Sequence, residues 1–180
     1  LLAHQLSLLE LRDELKKEES PVFKKSTYLV PQFLNKLSFE LTNAQKKAFK
    51  TIASDLSKNS AMLRLLQGDV GSGKTVIAAL ATLQTIEENY QVAIMVPTEL
   101  LAEQHYKNFF IWFEHLNIDT ILLTGKLKKS IKDIVEKKLK NSEPLVVIGT
   151  HALFQESITF SKLGLVIIDE QHRFGVHQRL

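Results

Sequence analysis

Eight consecutive residues, Gly68-Asp69-Val70-Gly71-Ser72-Gly73-Lys74-Thr75, match the phosphate-loop pattern G-x-x-x-x-G-K-[ST] at every fixed position. Each residue type answers a chemical need. Gly71 and Gly73 let the backbone turn tightly and approach phosphate oxygens where a Cβ would intrude. Amides from Val70 to Thr75 can converge on one anion, at the positive end of the helix that follows. Lys74 is placed to reach β- and γ-phosphates, and the Thr75 hydroxyl to ligate Mg²⁺. Taken alone, the pattern could be a glycine-rich turn with an incidental lysine. Its flanks favour a site: Ala61-Met62-Leu63-Arg64-Leu65-Leu66 reads as a strand entering the loop, and Val76-Ile77-Ala78-Ala79-Leu80-Ala81 as a helix leaving it. The stretch therefore predicts a nucleotide site, with ATP and Mg²⁺ as its expected ligands.

Such a site needs a carboxylate to hold Mg²⁺ at the end of a second buried strand. Asp169, closing Leu165-Val166-Ile167-Ile168, fills that position, and Glu170 beside it can polarise an attacking water as general base. An apolar strand ending in two acids can equally be a solvated turn; the phosphate loop upstream decides for function.

The elements that must position these groups follow from periodicity. Thr42-Asn43-Ala44-Gln45 is a capping box opening a helix that runs towards Ser54–Asn59. Beyond it strand and helix alternate. Strand 61–66 precedes helix 74–88, strand 91–96 a helix from Thr98 to His115, strand 120–123 helix 130–140, and strand 145–148 a short helix near residue 152; the last strand is 165–168. Short, continuously apolar, β-branched runs between helices indicate a parallel sheet buried on both faces. The fold class is α/β, doubly wound. Upstream, residues 1–19 have the leucine spacing of an amphipathic helix that Ser20-Pro21 ends. Val22 to Asn35, with two prolines and Lys24-Lys25, reads as an extended connector. The chain opens mid-helix without an initiator methionine, so it is expected to be part of a longer polypeptide.

Composition narrows the class further. Among 180 residues, 44% are hydrophobic and 24% charged, which suits a soluble globular protein of one domain plus an extension. No apolar run approaches the roughly 20 residues a membrane span needs, and the first residues lack a basic-then-apolar pattern, so a signal peptide is not expected. No cysteine occurs, and the six histidines lack ligand spacing, so disulfides and a zinc site are not expected. A cytoplasmic location is the expectation. The formal charge of +3 permits a polyanionic partner without demanding one.

Asp169-Glu170-Gln171-His172 resembles the D-E-x-H box of superfamily 2 helicases, and other helicase motifs stand in the family's order. Pro97–His105 is similar to motif Ia, Thr124-Gly125 to motif Ib, and Gly149–Leu153 to the motif before the box. Within that superfamily the whole chain resembles the RecG-type branch-migrating DNA helicases, most closely at Gly68–Thr75, Pro97–His105 and Asp169–Arg179. The transcription-repair coupling translocases are the next resemblance, differing at Ser72, Gln171 and His177–Arg179. Ser38, where a proline is expected before Phe39, departs from the pattern.

The resemblance implies a RecA-like first motor domain over 37–180, incomplete at its C-terminus, behind a helical extension over 1–36 that leads from a further domain. It implies coupling of ATP hydrolysis to translocation on forks and Holliday junctions, as a monomer. Gln171 and His172 would relay the state of the γ-phosphate. Gln45 stands where these proteins read adenine; its amide edge suits the base's N6 and N7, and capping is an equally good account. Phe39 or Phe33 could stack on the base, or simply pack in the core. Thr98, Gly125, Lys126, Thr150 and His151 follow predicted strands at the edge where open α/β sheets bind ligands, and match positions that touch DNA backbone. Singly, each is as well explained as a cap or loop residue.

The lysine runs near 126–140 are read mostly as the solvated face of a helix whose stripe is Leu127, Ile131, Ile134, Val135 and Leu139, Lys126 excepted. Of Phe109, Phe110, Trp112 and Phe113, some must be core. The sequence holds neither the second motor domain, where such proteins keep an arginine finger, nor the wedge domain that grips branched DNA. The isolated chain is thus expected to turn over ATP weakly, or only to bind it. In this fold a further strand separates the phosphate-loop strand from the Asp169 strand, so a gap or loosening beside Asp169 is expected.

Overall fold

A strand that is apolar on both faces must be covered twice, and four such runs here are separated by stretches of helical period. A computed structural model describes residues 19–125, 127, 129–155 and 158–170. In it β1 (Gln91–Met95), β2 (Asp119–Leu123), β3 (Leu145–Gly149) and β4 (Leu163–Ile168) form one sheet in the order β2-β3-β1-β4. Every pairing is parallel: Val92 lies opposite Val146 on one side and Leu165 on the other, and Thr120 opposite Val146. Helices bridge the strands as the alternation predicts. With α1 (Leu29–Lys36), α2 (Asn43–Leu56) and α3 (Lys74–Glu87) ahead of β1, α4 (Glu99–Phe113) joins β1 to β2 and α5 (Lys129–Lys140) joins β2 to β3.

The two faces separate residue by residue. Val92 and Ile94 enter a core with Val76, Leu80 and Leu83 of α3 and Phe109 and Phe113 of α4. Ala93 and Met95, the alternate positions, enter a second core with Val135 and Leu139 of α5 and with Ala152 and Leu153. Leu80 and Leu83 are fully buried, each a gain of about 1.5–3 kcal/mol over exposure. Gln91 is buried at the start of β1; its amide donates to Leu139 O and Asn141 O at 2.9 and 2.8 Å and accepts from Lys162 N at 3.2 Å. It ties the end of α5 to the start of β4.

Two expectations need correction. Residues 61–66 are not a strand. A strand exists only where a neighbour offers N–H and C=O groups, and β4 has β1 as its one strand neighbour among the described residues. Leu63 and Leu65 stand 60% and 78% exposed. On β4, Val166 and Ile168 are 42% and 45% exposed, because α5 and the turn at His151–Phe154 cover β1 and β3 and leave this face of β4 open.

The stretch 22–35 is not simply a connector either. Its second half is α1, with Pro31 in the first turn, where helical N–H groups lack intrahelical partners anyway. Glu87, at the end of α3, caps it. The carboxylate accepts from Thr27 N, Tyr28 N and Leu29 N at 2.8, 3.1 and 2.9 Å, and from the Ser26 hydroxyl. Burial pushes the Glu87 carboxyl up, but these donors outweigh it and hold it below its ordinary range. Phe33 of α1 is 1% exposed and meets Trp112 and Phe113 edge-on, so it is core and does not face a base. On α5 the buried stripe narrows to Val135 and Leu139, while Ile131 and Ile134 face outward. The helix expected over 1–19 falls almost wholly outside the described residues.

Candidate functional site

The phosphate-loop half is built by local chain geometry. Gly71 and Gly73 have φ of 79° and 81°, the left-handed region that glycine enters freely. Gly73 is also the residue on which α3 begins. A Cβ there would collide with the Gln45 amide nitrogen. Gln45 closes the capping box as expected: its Oε1 accepts from Thr42 N at 2.8 Å while Thr42 Oγ1 accepts from Gln45 N at 3.2 Å. Its Nε2 reaches further and donates to Ser72 O at 2.9 Å, so the cap of α2 also braces the loop. Lys74 Nζ donates to Gly68 O and Asp69 O at 2.7 and 2.8 Å, which holds the ammonium over the loop. Val70 lies at the exposed tip, Ser72 is exposed, and Thr75 is half-buried in the first turn of α3. Of the two rings offered for stacking, Phe33 and Phe39, the second is at the surface, 47% exposed.

The acidic half is built by the sheet. Asp169 N donates to Met95 O at 2.9 Å, carrying the β1–β4 pairing one residue past the strand. Asp169 Oδ1 accepts from Glu170 N at 2.9 Å, and Oδ2 lies 2.9 Å from His105 Nε2. Glu170 has φ of 54°, uncommon for a side chain with a Cβ. Such backbone costs roughly 1–2 kcal/mol and clusters at functional sites. The Asp169 carboxyl is held below its ordinary range, first by the His105 hydrogen bond, against burial, which raises it; the Lys74 ammonium adds to the lowering. Lys74 and Asp169 thus share one field, although α3 and β4 are far apart in the chain. Gln171 and His172 lie outside the described residues.

Among the described residues no three His, Cys, Asp or Glu side chains gather into a metal cage. Mg²⁺ does not need one. It is usually held through one or two protein oxygens with waters and phosphates completing the shell, and the hydroxyl of Thr75 and carboxylate of Asp169 are hard oxygen donors of that kind. The donor set fits Mg²⁺.

Thr98, Gly125, Thr150 and His151 follow β1, β2 and β3 at the same C-terminal sheet edge as Asp169. Thr98 is exposed and caps α4, its hydroxyl accepting from Leu101 N at 3.3 Å. Gly125 and His151 are exposed. Thr150 is buried, and its carbonyl accepts from Leu153 N at 3.0 Å to start the turn at 151–154. Lys126 lies outside the described residues. The sequence alone gives His105 no role of its own, only a place at the end of the stretch that resembles motif Ia. A further signal is its place four residues before buried Phe109, which sets both rings on one face of α4.

Residues 42–179 match the family model described as DEAD/DEAH box helicase. The chain is 49% identical over 179 residues to the ATP-dependent DNA helicase RecG of Aquifex aeolicus, covering 99% of this chain and 23% of that protein. It is 50% identical over 180 residues to the RecG of Haemophilus influenzae, covering all of this chain and 26% of that protein. It therefore spans about a quarter of the length of the curated relatives it matches. A solved structure of RecG bound to a three-way DNA junction superposes with a TM-score of 0.88 and 48% identity, over 95% of this chain and 24% of that one. The DUF1998 helicase MrfA bound to DNA superposes at 0.57 with 20% identity, over 82% of this chain and 22% of that one, a likeness of fold alone.

Proposed function

The chain belongs to the DEAD/DEAH box helicase family, and from that premise we propose that it is the ATP-binding first motor domain of a RecG-like DNA translocase. Hydrolysis of ATP here would drive branch migration of Holliday junctions and regression of stalled forks. The domain would span 37–180, with 1–36 as a lead-in, and would act with a second motor domain and a DNA-gripping domain of the same polypeptide. A cytoplasmic monomer suits this work. No helix among the described residues is long and apolar enough to cross a membrane.

One observation carries the reading. The loop ahead of α3 turns through left-handed Gly71 and Gly73 with the Lys74 ammonium held over it, and Lys74 is among the charges that hold the Asp169 carboxyl, at the end of β4, below its ordinary range. Lys74 would exchange its two loop carbonyls for β- and γ-phosphate oxygens. Backbone amides from Val70 to Thr75 would cradle the same phosphates at the start of α3. Thr75 and Asp169 would hold Mg²⁺, whose charge offsets that developing on the phosphates during transfer. Glu170, following Asp169, would orient the attacking water. Gln45 would read the adenine edge with Phe39 against the ring, and Gln171 and His172 would pass on the state of the γ-phosphate. Thr98, Gly125, Lys126 and His151 would offer backbone, hydroxyl, lysine and imidazole donors to DNA phosphate, contacts that set position without reading sequence, while buried Thr150 starts the turn that presents His151.

The test is Mg-ATP turnover with and without branched DNA, beside a Lys74→Ala control. Turnover that DNA stimulates and the substitution abolishes supports the motor. Nucleotide binding without turnover by the isolated chain would mark it as a binding module. Turnover that survives Lys74→Ala would sink the assignment of the site.

A further inference from the structure

Asp169 is oriented from two sides. One carboxylate oxygen accepts from Glu170 N, its own neighbour in the chain, at 2.9 Å. The other is engaged by an element on the far side of β1: Oδ2 lies 2.9 Å from Nε2 of His105, on α4. The imidazole is withdrawn, its side chain 12% exposed against 31% for Asp169. It is held there by its place on α4 and by Phe109, whose ring centre is 6.3 Å away. His105 Nδ1 is buried and has no hydrogen-bond partner among the described residues. In a neutral imidazole one nitrogen donates and the other only accepts. Leaving an acceptor bare costs less than trapping a buried N–H, so the geometry selects the tautomer with its proton on Nε2, aimed at the carboxylate.

We propose that His105 is a positioning residue for the nucleotide site: its Nε2–H fixes the Asp169 carboxylate in the orientation in which it engages Mg²⁺. The inference rests on the reading of Asp169 as the magnesium carboxylate. Partners of this kind, one bond removed from the metal, change metal affinity by about 10–100-fold when deleted, because the ligand then samples other rotamers. His105 touches neither metal nor nucleotide in this arrangement. It acts through Asp169.

The experiment uses the complete polypeptide that carries this chain, with His105→Leu, His105→Gln and Asp169→Asn variants. Glutamine offers an amide N–H near the position of Nε2; leucine offers none. The readout is the free Mg²⁺ needed for half-maximal binding of a fluorescent, non-hydrolysable ATP analogue, with melting temperature followed in parallel. The expected result is an increase of about 10–100-fold for His105→Leu, substantial recovery in His105→Gln, and metal-free binding of the analogue close to wild type in both. An unchanged Mg²⁺ requirement in His105→Leu overturns the proposal, and so does a glutamine variant as impaired as leucine, since that would make the role one of ring packing. Asp169→Asn separates the two readings: if it too leaves the requirement unchanged, the assignment of Asp169 has failed; if it alone raises it, only the role of His105 has. Should His105→Leu not fold, ¹⁵N-histidine spectra of the wild type decide. A proton on Nε2 of His105 supports the proposal, and a proton on Nδ1 with a bare Nε2 overturns it.

Discussion

The two halves of the site are held by different kinds of structure. The phosphate loop is shaped from within: two left-handed glycines, a lysine bonded to carbonyls five and six residues earlier, and a turn closed by Ser72 N on Asp69 O. Among the described residues its outside brace is the Gln45 amide on Ser72 O. The Asp169 half has almost no local shape of its own. It is placed by pairing with β1 and oriented by His105 from another helix. A locally shaped half leaves a motif in the sequence, whereas a half shaped by packing leaves only a strand ending in acids.

Lys74→Ala gives the largest effect expected of this comparison. It removes the charged donor from the loop and should lower ATP turnover by at least about 10²-fold, the usual loss when one preorganised donor is deleted. The melting temperature should hardly move, because both of its bonds go to exposed loop carbonyls. Steady-state kinetics with a thermal melt would check both parts; a large fall in melting temperature would mean that Lys74 is structural.

Gly73→Ala attacks the single point where the loop meets its outside brace. It forces a Cβ into left-handed backbone and against the Gln45 amide. The expected loss is about 1–2 kcal/mol from the backbone alone, with weaker nucleotide binding. Gln45→Ala in the same background should recover part of it, as a denaturant titration of the double mutant would reveal.

Glu87→Gln probes packing away from the site. Replacing the charged cap of α1 should cost about 1 kcal/mol near neutral pH. The Glu87 carboxyl is lowered in the folded state, so its contribution is complete above the ordinary carboxylate pKa and is lost as pH falls through the lowered value. The gap in melting temperature between wild type and variant should therefore close on acidification; a gap that widened would contradict the cap.

The smallest effect is assigned to Lys138→Ala. It removes an exposed ion pair with Asp119, 2.5 Å long, that belongs to neither half. Stability should stay within about 0.5 kcal/mol and turnover should be unchanged, which makes it the control for the other three.

Much of the architecture was legible without coordinates because its signals are short-range. The capping box at Thr42–Gln45, the apolar runs at 91–96 and 145–148 and the glycine-lysine loop each lie within a few residues, and each forms as read. The misreadings share one cause. Residues 61–66 have a strand's composition, yet a strand is a relation between two chains, and no described neighbour offers them an edge. Residues 29–36 look like connector until Glu87, 58 residues from Leu29, supplies the missing cap. Phe33 and Phe39 are alike as letters, and only packing sends the first into the core and leaves the second at the surface.

What the amino-acid order determined by itself was a pattern that local backbone can express: a glycine-rich loop of the phosphate-loop type, the ammonium at its end, and two acids closing an apolar run. Only the tertiary structure decided which of those groups meet and what steadies them. The parallel sheet sets Asp169 at the end of β4, α3 carries Lys74 within reach of its charge, and α4 lays His105 against the carboxylate. Backbone geometry depends on neighbours in sequence, while the orientation of a carboxylate depends on whichever donor packing delivers, and no spacing rule along the chain encodes that donor.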